Sequence, residues 1–260
     1  MKLQTGVRVW VLAPVMARRS LSALVVVLVT AVSGCGGSEG PSPLQPQRET
    51  RLPAPSDIAG AETVTAAIRY LALGDSLTQG VGAPDEQTGA FPALLAERWR
   101  AGGCDVELRN VGVSGYTAGQ VVTDQLPEIE SFQPTLITFQ AGANDIATGV
   151  PINEYRENIA TVLDSATASG ARVIVLAQNE WFRSPEGQNY GSDIAAQRTA
   201  FDAALIEEAT ARGVEFVDLR QLYQEQADAG LWVDDGIHPT PEAYEAWSAE
   251  IAHAVPAACK

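Results

Sequence analysis

A chain of 260 residues is long enough for one sizeable domain with appendages and short for two. Its hydrophobic fraction of 46% and aromatic content of 7% are those of a chain that buries a core, which excludes bulk disorder. With 17 basic against 32 acidic residues the formal charge is −15, a surface that repels phosphate backbones and excludes nucleic acid as a partner.

Arg18 and Arg19 precede an apolar run from Leu21 to Val32, too short to span a bilayer comfortably and matched to the apolar region of a signal peptide. Val32-Ser33-Gly34-Cys35 then resembles a bacterial lipobox, an aliphatic residue and two small ones before a cysteine whose thiol carries the lipid. Residues 1–34 are therefore expected to be a lipoprotein signal peptide and Cys35 the lipidation site, with plain secretory cleavage as the alternative. The stretch before Arg18 is long for such a peptide, so the start is either Met1 or Met16. Residues 35–63 carry Gly36, Gly37, Gly40, Pro41, Pro43, Pro46, Pro53 and Pro55 among polar residues and read as a tether. The folded domain is expected over 64–260, beginning near Val64. Disulfides persist outside the cell, where Cys104 and Cys259 either pair or stay as two thiols; neither has a histidine nearby, so no catalytic thiol is expected.

From Ile68 the pattern alternates. Strands are expected at Ile68 to Leu73, Val106 to Asn110, Thr135 to Gln140, Arg172 to Ala177 and Val214 to Leu219, all short apolar runs. Helices are expected at Phe91 to Arg100, Leu126 to Phe132, Asn153 to Ser169, Ser192 to Arg212 (capped by Ser192 or Asp193) and Pro241 to Ala254, with Thr240 as cap. Mostly apolar strands separated by helices predict a three-layer α/β/α sandwich around a five-stranded parallel sheet. Trp181 to Tyr190 has no clear period and is either a surface connection or a wall of the binding site.

Ligands of such sheets bind beyond the carboxyl ends of the strands. Four polar, glycine-bearing segments fall there: Gly74 to Gly80 after the first strand, Asn110 to Thr117 after the second, Gly142 to Asp145 after the third, and Asp234 to Pro239 after the fifth. A serine nucleophile needs a base, and the chain has 2 histidines. His253 lies late in the terminal helix among Ala and Val, as a structural or surface residue. His238 lies in a loop three residues after Asp235, close enough for the carboxylate to fold back on Nδ1 and leave Nε2 for Ser76. Alone, that pair reads more readily as a surface turn. Gly115 and Asn144 fit as oxyanion donors, through a backbone approach and a side-chain N–H. No His-rich or Cys-rich cluster appears, so neither metal nor cofactor is expected.

Taken in order, Gly74-Asp75-Ser76-Leu77, Ser114-Gly115, Gly142-Ala143-Asn144-Asp145 and Asp235-Gly236-Ile237-His238 resemble the four sequence blocks of the SGNH, or GDSL, hydrolases, covering Tyr70 to about Pro239. Asp234 to Pro239 is especially similar to the final block of bacterial thioesterase and lysophospholipase members. The resemblance implies a flavodoxin-like SGNH fold and an exported serine esterase, with Ser76 as nucleophile, His238 as base and then acid, and Asp235 rather than Asp234 as its orienting group. The Ser76 backbone N–H, the Gly115 N–H and the Asn144 amide are the implied oxyanion hole. Ala143 stands where many members have a second glycine, and Asp75 and Asp145 are read as supports. The serine context is not the Gly-x-Ser-x-Gly elbow of the α/β-hydrolases. The implied substrates are lipid, short acyl or acetylated-carbohydrate esters, met by a monomer anchored through Cys35 on the extracytoplasmic side of the envelope. Leu77, Val81, Val113, Tyr116, Ile146, Trp181 and Phe182 are candidates for an acyl site, or else pack the fold. The alternative is a non-catalytic binding module on the same fold.

Overall fold

The computed structural model describes residues 67–257 and residue 259. The expected signal peptide over 1–34, Cys35, the expected tether over 35–63 and Val64 lie outside the described residues. Five strands form one parallel sheet: β1 (Ile68–Gly74), β2 (Val106–Asn110), β3 (Leu136–Gln140), β4 (Arg172–Leu176) and β5 (Glu215–Val217), in the order β2-β1-β3-β4-β5. The register runs without a bulge, with Leu71 opposite Arg109 on one side and Ile137 on the other.

Side chains alternate across a strand, so consecutive apolar residues feed two cores. Leu71, Leu73, Ile137, Phe139, Val173 and Val175 face one layer, which contains α7 (Ile152–Ala168) and α8 (Ile194–Ala211). Tyr70, Ala72, Ile174 and Leu176 face the other, with α3 (Phe91–Ala101), α9 (Arg220–Asp228) and α10 (Pro241–Ala254). Trp247 is wholly buried on that side, in contact with the rings of Phe91, Tyr223 and Tyr244. Cys104 and Cys259 are joined as a disulfide with their Cα atoms 5.4 Å apart, closing the C-terminus onto the turn before β2.

The remaining elements are short. They are α1 (Ser76–Gln79), α2 (Glu86–Gly89), α4 (Ala118–Gln120), α5 (Pro127–Phe132), α6 (Ala143–Thr148), a π-helical turn at Val121–Gln125 and 3₁₀ turns at Trp181–Arg183 and Gly187–Tyr190. Chain order reverses between β1 and β3, which opens a crevice where these strands end; α1 and α6 flank it. Among the described residues no helix is long and apolar enough to cross a membrane.

Three buried aspartates give the fold a pH signature. Burial pushes Asp75 from the ordinary 3.8 up to about 7, against a hydrogen bond from Leu77 N–H. It pushes Asp145 and Asp202 up to about 6 each. Between about pH 4 and pH 7 the folded chain holds protons that the unfolded chain releases, so these groups lower stability as pH rises through that window. Oppositely, Glu128, Asp164, Glu208 and Asp218 are held low by arginine hydrogen bonds and stabilise the fold above their unfolded values. Asp164 and Asp218 are exposed, so screening makes them minor, while the half-buried Glu128 and Glu208 offset part of the effect. Thermal melts should show a Tm near pH 5 that is about 5–10 °C above that near pH 8. A Tm that rises from pH 5 to pH 8 would contradict the protonated state of these carboxyls.

Candidate active site

The end of β1 sets the position of Ser76. Gly74 has φ 156, and a side chain there would collide with Thr78 Oγ1 and the Gln140 carbonyl. Its N–H donates to Gln125 Oε1 and its carbonyl accepts from Gln125 Nε2, both at 2.8 Å. Asp75 caps α1, its Oδ1 accepting the Leu77 N–H at 3.0 Å, and the turn closes at Gly80 in the left-handed region. Ser76 is thereby fixed as the first residue of α1, with 9% of its surface exposed.

The next two segments are stitched to it and to each other. Gln79 Oε1 accepts the Ser114 N–H at 2.6 Å, and Asn110 Nδ2 donates to the Thr78 carbonyl at 2.7 Å. Gly115 takes φ 84, a left-handed conformation that favours glycine even though a Cβ would meet nothing within 4 Å. Asn144 Nδ2 donates to the Tyr116 carbonyl at 2.9 Å, and Asp145 accepts the Ala118 N–H at 3.0 Å. An amide nitrogen carries two hydrogens, so Asn144 keeps one N–H beyond its bond to Tyr116.

His238 comes from a tight loop in which Val233 N–H donates to the His238 carbonyl at 2.9 Å. Asp235 Oδ1 accepts the N–H groups of Ile237 (2.9 Å) and His238 (3.0 Å), and its Oδ2 lies 2.6 Å from His238 Nδ1. Burial works to raise the Asp235 carboxyl, but those two backbone N–H groups and the imidazole together hold it below the ordinary range. An ionised carboxylate only accepts, so Nδ1 is the donor and Nε2 is left with its lone pair.

Ser76, Gly115, Asn144 and His238 all line one cavity of about 130 Å³, shared with Asp75, Leu77, Ser114, Ala143, Ala147, Asn179, Trp181, Tyr190 and Ile237. Ser76 and His238 face it without a direct hydrogen bond between them, as is common before substrate arrives. A larger open groove of about 810 Å³, lined by α8 and α9, carries neither a serine nor a histidine. Among the described residues no group of three or more His, Cys, Asp or Glu is arranged to hold a metal ion.

Residues 72–246 match the GDSL-like lipase/acylhydrolase family. The chain belongs to that family. An arylesterase of Vibrio mimicus is 30% identical over 70% of this chain and 84% of its own. Esterase TesA of Pseudomonas aeruginosa is 29% identical over 67% and 81%. Thioesterase 1/protease 1/lysophospholipase L1 of Escherichia coli is 26% identical over 68% and 78%. A crystal structure of TesA superposes with a TM-score of 0.62 at 25% identity, covering 72% of this chain and 98% of that one. The psychrotrophic esterase EstA from Pseudoalteromonas, solved inhibited by monoethylphosphonate, shares the fold at 20% identity and a TM-score of 0.58, over 71% of this chain and 94% of that one. The protein is thus a GDSL-type ester hydrolase.

In this GDSL hydrolase, Leu77 and Trp181 reach the cavity, but the other acyl-site candidates are elsewhere. Ile146 is buried in the core, Val81 and Phe182 are half-buried, and Val113 is exposed. The Tyr116 hydroxyl donates to Asp124. Trp181 and Tyr190, edge to face at 5.3 Å, make the 181–190 segment a wall of the site. His253 is exposed near the end of α10. Asn179 and Ala147 lie outside every segment marked from the sequence, whereas Tyr190 ends the 181–190 segment and Ile237 belongs to the last block. Asn179 lies just past β4, so the strand-end rule that picked out the other loops applies to it as well.

Proposed function

We propose that the protein is a serine esterase of short acyl esters that works through an acyl-enzyme on Ser76. Ser76 Oγ attacks the ester carbonyl carbon while His238 Nε2 takes its proton. The carbonyl oxygen becomes an oxyanion and is held by the N–H groups of Ser76 and Gly115 and by the Asn144 amide. The intermediate collapses, the C–O bond to the alcohol breaks, and the imidazolium returns the proton to the leaving oxygen. Water repeats the sequence on the acyl-enzyme and releases the acid. The observation that carries this reading is the single cavity lined by Ser76, Gly115, Asn144 and a His238 whose Nδ1 is engaged by Asp235.

The short-acyl assignment is supported by the cavity's size, about 130 Å³, well under the roughly 300–1,000 Å³ of pockets for larger ligands. We infer that the enzyme is exported as a lipoprotein cleaved before Cys35, acts as a monomer, and is tethered to the membrane through residues 35–63, on the lipobox-like Val32-Ser33-Gly34-Cys35. A fluorophosphonate should form one adduct, mapped by mass spectrometry to the Ser76 peptide, and Ser76→Ala should abolish both the adduct and hydrolysis of 4-nitrophenyl acetate. Full esterase activity in Ser76→Ala would refute the assignment.

A further inference from the structure

Asn179 is only 2% exposed, and neither its Oδ1 nor its Nδ2 has a hydrogen-bond partner in the protein. The same holds for the indole Nε1 of Trp181, two residues on and 4% exposed. Both residues line the cavity that holds Ser76 and His238. Their unpaired atoms do not sit on a loose loop. Arg198 donates to the Gln178 carbonyl on one side of Asn179 and to the Glu180 carboxylate, at 2.7 Å, on the other. Trp181 is braced against Phe182 and Tyr190. Buried polar groups without partners are uncommon and costly, and each calls for a physical reason. Here two residues that line a reactive cavity, two positions apart in the chain, carry three such atoms.

We propose that Asn179 and Trp181 form a polar subsite that hydrogen-bonds a hydroxyl of the substrate carried within two or three bonds of the scissile ester. The indole only donates, whereas the amide both donates and accepts. A hydroxyl satisfies both, accepting from Trp181 Nε1 and donating to Asn179 Oδ1. A plain hydrocarbon ester leaves all three atoms unpaired, and sites built for a hydroxyl discriminate strongly against the analogue lacking it. The hydroxyl can belong to the acyl group, as in a 2-hydroxyacyl ester, or to the alcohol, as in the monoester of a 1,2-diol.

This subsite rests on the serine-esterase reading of Ser76, and the test separates the two. In the full-length enzyme, kcat/KM is compared within two pairs: methyl glycolate against methyl acetate, and 2-hydroxyethyl acetate against ethyl acetate. The wild type should favour the hydroxyl member of at least one pair tenfold or more, and the pair identifies the side. Asn179→Leu and Trp181→Phe, checked for fold by circular dichroism, should bring that ratio to within about threefold of unity. An enzyme that labels with fluorophosphonate at Ser76 yet shows no preference in either pair overturns the subsite alone. So does a preference that survives both substitutions. An enzyme that does not label overturns the serine reading beneath it.

Discussion

His238→Ala should lower kcat on 4-nitrophenyl acetate by about 10⁴- to 10⁶-fold with little change in KM, the range seen when a serine hydrolase loses its base. The geometry makes a finer expectation possible. Asp235 spends Oδ1 on the backbone N–H groups of Ile237 and His238, and Oδ2 on the imidazole. In Asp235→Asn the amide oxygen can keep the two backbone bonds, so the loop holds, while the amide nitrogen turns a donor toward Nδ1. The ring must then place its proton on Nε2, where it cannot accept one from Ser76. A loss of about 10⁴-fold with an unchanged melting curve is expected. Asp234→Asn and His253→Ala serve as controls, since both residues are exposed. Their activity should stay within about twofold of wild type, the effect of an exposed substitution away from any special feature. More than a tenth of wild-type kcat in His238→Ala would remove this histidine from the mechanism.

The second large effect is on stability. Arg198 is 7% exposed and lies between two buried carboxylates, Glu180 at 2.7 Å and Asp202 at 3.1 Å. Removing one partner of a buried ionic cluster leaves charge without compensation, at a cost of about 3–5 kcal/mol. Arg198→Ala should therefore lower the unfolding free energy by that amount, read as a lower urea midpoint at an unchanged slope. The loss should shrink toward pH 5, because burial already pushes Asp202 up to about 6 and a protonated carboxyl no longer needs the arginine. A triple variant with apolar residues at Glu180, Arg198 and Asp202 should recover much of the loss. An Arg198→Ala unfolding free energy within about 1 kcal/mol of wild type would mean the cluster is solvated rather than buried.

Much of this was legible in the chain, for reasons that differ by element. β2 and α10 begin and end where expected because Val106–Asn110 is flanked by polar turns and Pro241 can only open a helix. β5 is shorter than Val214 to Leu219, since only Glu215–Val217 pairs with β4. α1, α4 and α6 are too short to show a period; they exist because of caps such as Asp75 and tertiary bonds such as Asp145 to Ala118. α9 stayed unread because it buries only Tyr223 and Gln226. The four catalytic-type loops could be found because their residue types are rare together. Asn179 was within reach of the strand-end rule, but its burial was not, and Gln125 and the Arg198 cluster gave no signal, since a buried polar side chain looks like any surface one until the residues around it are known.

The five strands all point one way. The chain enters β1 at Ile68, and Cys259 is bonded to Cys104 just ahead of β2, so both ends of the domain are moored at the sheet's amino edge. Ser76 opens off the other edge, roughly 23 Å away along the seven residues of β1. The domain thus has a stem and a mouth at opposite poles. An attachment made at the domain's own ends, beside Ile68 or Cys259, therefore meets the pole opposite the one where the hydrolytic cavity opens.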